Sequence, residues 1–372
     1  MFMVLNNYRV LKQGVSGFMR VKNDAEFIEA SIDSCIDALD ELIIVYNDCS
    51  DSTPELIEKK RSEHPDKIRV YEYKHKVFST NLSKAEYEQA IRLPDDSPNL
   101  LCNYYNYALS KVNYRYALKI DADQIYFSKQ LKQWCDIFRE SNFNLRKTIR
   151  YYVGYVFNLY FMLFKLCCFR TKRLYSFLPE KIICRLTPHY IEYLKYQVKK
   201  GKACISLSGI NVFKDDGWFV SLGKKSDETN ILPPFNGEGD HLIFAVSQDT
   251  FFRRYHMPYY NLLANTKYSL IEEFVHPYKM LCAGFAWFHM NAMRNRCRVK
   301  VSEAKNRYPS AFIKIYDFVE MSFEEILAKV DKDMFSLRQA ILFTFIYKSD
   351  KKSVKDNIKL LNRLSFLTDG RQ

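Results

Sequence analysis

Two carboxylates one residue apart, Asp121 and Asp123, end the apolar run Tyr116-Ala-Leu-Lys-Ile120. The run reads as a buried strand, which sets both acids at its carboxyl end. In open α/β sheets that edge is where ligands bind. Two acids at this spacing suit a hard divalent cation shared with substrate phosphates, because such ions take oxygen ligands and keep positions open. The alternative is a strand that simply runs into an Asp-rich turn.

The preceding chain supplies the elements that would hold such a site. Val15–Val21 has strand character and ends in the polar turn Lys22-Asn23-Asp24, and apolar residues from Phe27 to Leu39 then recur at helical spacing. Glu41–Val45 is an unbroken apolar run behind one acid, the pattern of a buried parallel strand. It leads through Tyr46-Asn-Asp-Cys-Ser-Asp51-Ser-Thr53 to a helix opened by Pro54, a favoured first-turn residue. Ile68–Tyr73 reads as a third strand, Asn103–Leu109 as a helix and Leu131–Phe138 as a short amphipathic one. The stretch Lys74–Asn99 predicts a long loop of the functional-flap kind.

Asn106-Tyr-Ala-Leu109 followed by Asp121-Ala-Asp123 resembles the "N-x-A-L … D-A-D" passage of GT-A-fold glycosyltransferases, particularly the family 2 type. The resemblance implies an α/β, Rossmann-type sheet with helices on both faces. It implies Mn2+ or Mg2+ held by Asp121 and Asp123 against the diphosphate of a nucleotide-sugar. Lys22-Asn23-Asp24 resembles the family's "R-N-E" turn, where the nucleotide begins to bind. Tyr46–Thr53 resembles "D-D-G-S-x-D-x-T", matching at Asp51 and Thr53 but placing Tyr46 and Asn47 at the early acidic positions. Base recognition would then fall to Asn47 or the displaced Asp48. Pro234–Phe244 resembles the family's "E-D" passage at a helix start, so Asp240 is the expected catalytic base and Glu238 its reserve. An ordinary helix cap by Asp240 is the competing reading. His289, after the aromatic run Gly284–Phe288, sits where many such enzymes place a further metal ligand. A buried structural histidine is the alternative.

The 372 residues, 48% hydrophobic and 16% aromatic, give ample room for a core and exclude a disordered chain. The net charge of +13 is concentrated. Between Leu145 and Lys202 thirteen Lys/Arg face two acids, a local balance of +11. Inside that stretch lies the aromatic run Tyr151–Phe169, long enough as one helix to approach a bilayer's thickness. A span would put Asp121 and the later half of the chain on opposite sides of a membrane, and Asn158 and Lys165 interrupt the run. The expectation is a helix lying in the cytoplasmic leaflet, held by flanking positive charge on an anionic surface. No nucleic-acid motif accompanies the charge. The ten cysteines lack metal-type spacing, and Met1–Gly14 has no secretory character, which predicts reduced thiols in a cytosolic compartment.

Four regions follow: a nucleotide-sugar-binding half (1–140), a basic aromatic helical insert (141–202), an acceptor-binding and catalytic half (203–300), and a C-terminal helical tail (301–372). Helices are expected at Phe323–Val330, Leu337–Tyr347 and Val354–Leu364. The function expected from the resemblance is an inverting, uridine-dependent glycosyltransferase, peripheral on the inner face of a cell membrane. It would act on a lipid-linked or lipopolysaccharide-type glycan. A non-catalytic binder with a degenerate glycosyltransferase fold is the rival reading. A sugar nucleotidyltransferase fits less well, since Val15–Asp24 has a single glycine.

Overall fold

The computed structural model describes residues 10–79, 82–140, 147–222, 232–257, 268–290, 295–330, 335–362 and 364. They fall into two compact units. The first takes the chain to Arg139 and then Leu242–Tyr278; the second takes the basic stretch, Ile231–His241 and everything from Lys279 onward.

The first unit opens with β1 (Lys12–Val21), α1 (Ile28–Cys35), β2 (Glu41–Tyr46), α2 (Thr53–Glu63) and β3 (Ile68–Glu72). It continues through α3 (Lys84–Ile91), α4 (Leu101–Leu109), β4 (Tyr114–Ile120), β5 (Gln124–Tyr126) and α5 (Ser128–Arg139). Strands β3, β2, β1 and β4 lie side by side in that order, and all are parallel. This is the doubly wound arrangement expected, and the reason is legible: Val15–Met19, Leu42–Val45 and Tyr116–Ile120 are buried along their length. The acid that opens β2, Glu41, is buried but fully engaged. Its carboxylate accepts from Ser16 Oγ, from both nitrogens of Asn113 and from Arg69.

Helix α4 ties the carboxyl ends of these strands together. Tyr104 Oη donates to Val45 O at 2.6 Å and lies 3.2 Å from Val21 O. Asn106 explains its own place in the sequence motif. Its side-chain amide donates to Phe252 O and accepts from Phe252 N–H, each at 2.8 Å, as a second strand would. Phe252 belongs to a hairpin, β10 (Phe251–Met257) with β11 (Ser269–Val275), that the local sequence pattern did not announce. Nor is Lys74–Asn99 an open loop. It contains α3, begun by a reciprocal capping box between Ser83 and Glu86.

The second unit contains α6 (Ile149–Thr171), α7 (Glu180–Lys199), β6 (Ala203–Asn211), β7 (Phe213–Lys214), β8 (Trp218–Ser221) and the start of β9 (Phe235–Ala245). After Lys279 come β12 (Lys279–His289), α8 (Asn295–Arg307), β13 (Phe312–Lys314) and α9 (Ile315–Phe318). The chain then forms α10 (Phe323–Lys329), α11 (Leu337–Asn357) and α12 (Lys359–Asn362), so the last two helices expected are in fact one long helix and a short turn. Strands β6 and β12 pair in parallel, and β6 is buried throughout. The last residues of β9, in the first unit, run antiparallel to β4, with Tyr116 opposite Ala245.

Strand β9 corrects one expectation outright. Glu238 and Asp240 stand on a β-strand and not at a helix start. The glycines that suggested a turn have a packing role instead. A Cβ on Gly209 would lie 2.0 Å from Trp287 Nε1, and one on Gly237 would lie 2.8 Å from Trp287 Cζ2. Gly237 also adopts φ +91°, open to glycine alone at no cost. The fully buried Trp287 ring therefore requires glycine beneath it on two strands.

Candidate functional site

Because β2, β1 and β4 are parallel neighbours, the turns that follow them emerge on one edge of the sheet. Val21 pairs with Tyr46 and Met19 with Ile120, so Lys22–Asp24, Asn47–Thr53 and Asp121–Asp123 start from nearly one level.

The first two turns are stitched to each other. Lys22 Nζ lies 2.8 Å from Asp48 Oδ2. Asn23 Oδ1 accepts from Ser50 N–H at 2.8 Å, Asp24 N–H donates to Thr53 Oγ1 at 2.9 Å, and Ala25 N–H donates to Asp51 at 3.2 Å. Asp51 also accepts from Thr53 N–H at the start of α2. Asn23 and Asp48 both have positive φ, +54° and +46°, which short polar side chains tolerate better than most. Residues that read as two separate motifs thus form one rigid double turn. Lys22 lowers the pKa of the Asp48 carboxyl through its hydrogen bond and charge.

Asn47 and Asp48 divide the roles that the sequence left open. Asn47 is buried, and its amide nitrogen donates to Tyr73 O and to His75 O. Its donors hold the exit of β3 and are not turned to a ligand. Asp48 is exposed at the edge.

At the third turn, Asp123 is buried and Asp121 half-buried. The backbone of Asp121 is pinned at both ends: its N–H donates to Tyr126 Oη at 3.3 Å and its carbonyl accepts from Ser31 Oγ at 3.2 Å. Tyr126 stays protonated well above the usual range, through burial first and then the charges of Asp121 and Asp123. Two carboxylates one residue apart at the carboxyl end of a parallel strand are a donor set that fits a hard divalent cation.

One group escaped sequence reasoning. Arg20, the penultimate residue of β1, lies over the Tyr105 ring with its Cζ 5.0 Å from the centroid. Its Nε is buried and has no hydrogen-bond partner among the described residues. Burial opposes its charge, but Tyr105, Glu272 and Asp121 outweigh that and hold the guanidinium protonated. Next to it, the buried Lys119 pairs with the half-buried Glu272 at 3.3 Å. The available signal was an arginine inside an otherwise apolar buried strand.

His289, at the end of β12 in the second unit, has Nδ1 at 2.6 Å from Asn211 Oδ1 and 3.0 Å from Asn236 Nδ2. Asn211 is oriented by its own donation to Pro233 O, so its carbonyl oxygen faces the ring. The Asn211 oxygen calls for a proton on Nδ1 and the Asn236 amide for a lone pair there, so the tautomer decides between the two contacts. Asp240 and Glu238 belong to the same unit, and their side chains lie outside the described residues. A different set of potential ligands, Asp33, Glu63 and His64, converges on helices α1 and α2 and their ends. Lys60 Nζ already sits 2.8 Å from Asp33 and 2.7 Å from Glu63, supplying the positive charge a cation would bring.

Residues 13–165 match the family model described as beta-1,4-N-acetylgalactosaminyltransferase (CgtA). The matched stretch is less than half of the chain. It holds the double turn, Arg20 and both metal-type aspartates, and it ends inside α6. No curated protein matches the chain. Among solved structures, it is similar to glucosyl-3-phosphoglycerate synthase from Mycobacterium tuberculosis in complex with Mn2+, UDP and phosphoglyceric acid. Identity is 18%, covering 30% of this chain and 34% of that one, at a TM-score of 0.20. A structure described only as a mycobacterial protein overlaps at 15% identity, 30% and 32% coverage, and a TM-score of 0.20. The chain thus spans about a third of the length of these structures, and overlaps this slight carry no argument about fold or site.

Proposed function

We propose that the chain is an inverting glycosyltransferase that uses a nucleotide-sugar, uridine-linked, as donor. The observation that carries this reading is the shared sheet edge of the first unit, where a rigid polar double turn, a half-buried arginine and the Asp-x-Asp pair meet. The matching family's description supports inversion, because a β-linked product from an α-linked nucleotide donor requires it. That description also makes UDP-N-acetylgalactosamine the first donor to test.

In this reading Asp121 and Asp123 would hold Mn2+ or Mg2+. The ion supplies charge to offset the departing diphosphate. Arg20 adds fixed positive charge that costs no reorganisation at the moment of reaction. Lys22 and Asn23 border the nucleotide, with Asp48 and Asp51 shaping that border. Asp240, with Glu238 in reserve, takes the proton of the acceptor hydroxyl as its oxygen attacks the anomeric carbon. The acceptor is a lipid-linked or lipopolysaccharide-type glycan.

The commitment of Asn47 to the backbone favours one rival, a binder whose nucleotide site no longer turns over. Measuring release of nucleoside diphosphate from UDP-sugars, with and without glycan acceptors, separates the two. Acceptor-dependent UDP release supports the enzyme. Tight UDP binding with no release under any acceptor overturns it in favour of the binder.

A further inference from the structure

Helix α6 runs for 23 residues, about 34 Å, and has two faces of opposite fate. One face is core. Phe157, Phe161 and Phe164 crowd Phe177, and Phe157 and Phe161 also meet Phe345 of α11. Gly154 lets α7 approach until a Cβ would stand 2.1 Å from His189 O. The other face is apolar and exposed. Ile149, Tyr152, Val156, Leu159, Leu163 and Leu166 are between 39% and 78% accessible, and Met162 and Phe169 extend the same strip. At 100° per residue they cover one half of the helix circumference. Arg170, at its far end, is the first charged residue on that half.

A soluble helix normally turns charge to water on its open side, and a continuous apolar strip of this length marks an interaction surface. Its surroundings identify the partner. Lys147 and Arg150 flank one end, and Arg170, Lys172 and Arg173 the other, all exposed. With a local balance of +11 over Leu145–Lys202, a second copy of this chain would bring like charge against like. An anionic surface would bring the opposite charge. The packing of the buried face against α7 and α11 excludes a free-standing span, since α7 carries Glu180, Lys181, Arg185, Glu192 and Lys195 along its length.

We propose that the exposed face of α6 docks flat on an anionic lipid bilayer, its apolar strip in the headgroup–acyl boundary and its terminal basic residues on the lipid phosphates. This inference is independent of glycosyl transfer, resting only on α6 and its neighbours. It also gives the chain a peripheral position from which a lipid-linked substrate can be reached.

The test is co-sedimentation of the full chain with vesicles of phosphatidylcholine alone or mixed with phosphatidylglycerol. Binding is expected to the mixed vesicles and to weaken with salt. Leu159→Glu with Leu163→Glu should lower it at least about tenfold, because charge replaces buried apolar area. Arg170→Gln, Lys172→Gln and Arg173→Gln together should lower it on the order of a hundredfold. The milder pair Leu163→Ser and Leu166→Ser, with an unchanged thermal midpoint, guards against loss of fold. Binding that survives both apolar variants, or that ignores lipid charge, overturns the proposal. So does a wild-type chain that sediments as a dimer in solution, ignores vesicles, and becomes monomeric in the Glu variant.

Discussion

Lys22 Nζ stands 2.8 Å from Asp48 Oδ2 across two turns that are 26 residues apart in sequence. The pair is exposed, so it does little to hold the fold, and its neighbour Asn47 does that work from beneath. Two adjacent residues of one turn should therefore fail differently. Asn47→Ala leaves the buried Tyr73 carbonyl and the part-buried His75 carbonyl at the β3 exit without their donor, a loss of about 1–3 kcal/mol. Asp48→Asn should leave the thermal midpoint in place and change UDP affinity instead. Thermal melts and UDP calorimetry on both variants check this, and a large stability loss at Asp48 would reverse the assignment.

Arg20→Gln removes the half-buried cation while keeping a polar side chain of similar reach. UDP affinity should fall at least about tenfold, as expected for loss of one charged contact to a phosphate group. Binding of free uridine, which has no diphosphate, should not change. Equal loss for both ligands would mark Arg20 as a structural group only.

Asp123→Ala should abolish the Mn2+-dependent part of UDP binding, measured by calorimetry with and without the ion. Unchanged Mn2+ dependence would remove the metal role from this pair.

Asp240→Asn should lower turnover at least about a hundredfold with donor affinity nearly unchanged, and Glu238→Gln should cost much less. Preserved turnover in the first and loss in the second would move the base by two residues.

Asp350, on α11, accepts from Phe285 N–H at 2.6 Å and from Ser353, yet burial pushes its carboxyl up to about 7. The folded state therefore holds this proton more tightly than the unfolded chain does. The stability it contributes is complete below the ordinary aspartate pKa and is lost as pH rises towards and through about 7. Asp350→Asn keeps the acceptor for Phe285 and should flatten that decline. Denaturant titrations at pH 5 and pH 8 on both proteins would show it; equal slopes would mean the carboxyl is ionised throughout.

The first unit was readable because its parallel strands are buried on both faces, so β1, β2 and β4 stand out as apolar runs with polar turns after them. Their pairing then brings Lys22, Asn23, Asp48, Asp51, Asp121 and Asp123 to one edge without further information. Strand β9 was misread for the opposite reason. Asn236-Gly-Glu-Gly-Asp240 carries turn chemistry, and what makes it a strand is long-range: pairing beyond it with β4 and the bulk of Trp287. Arg20 was passed over because nothing nearby in sequence shows that Tyr105, Asp121 and Glu272 surround it. Helix α3 did carry a local signal, Ser83-Lys-Ala-Glu86, which is a capping box in plain letters.

The partnership of Phe161 with Phe345 has a consequence in time. A ribosome adds roughly 5–20 residues each second, so α6 leaves it some ten to forty seconds before α11 does. For that interval Phe177 and α7 cover part of its inner side, but the place that Phe345 takes there stays open beside the apolar outer strip. The nascent chain is then at its most adhesive. A bilayer met during synthesis would find two apolar sides on α6, and the arrival of Phe345 closes the inner one. The stretch of chain between α6 and α11 therefore sets how long the inner side waits for its last aromatic partner.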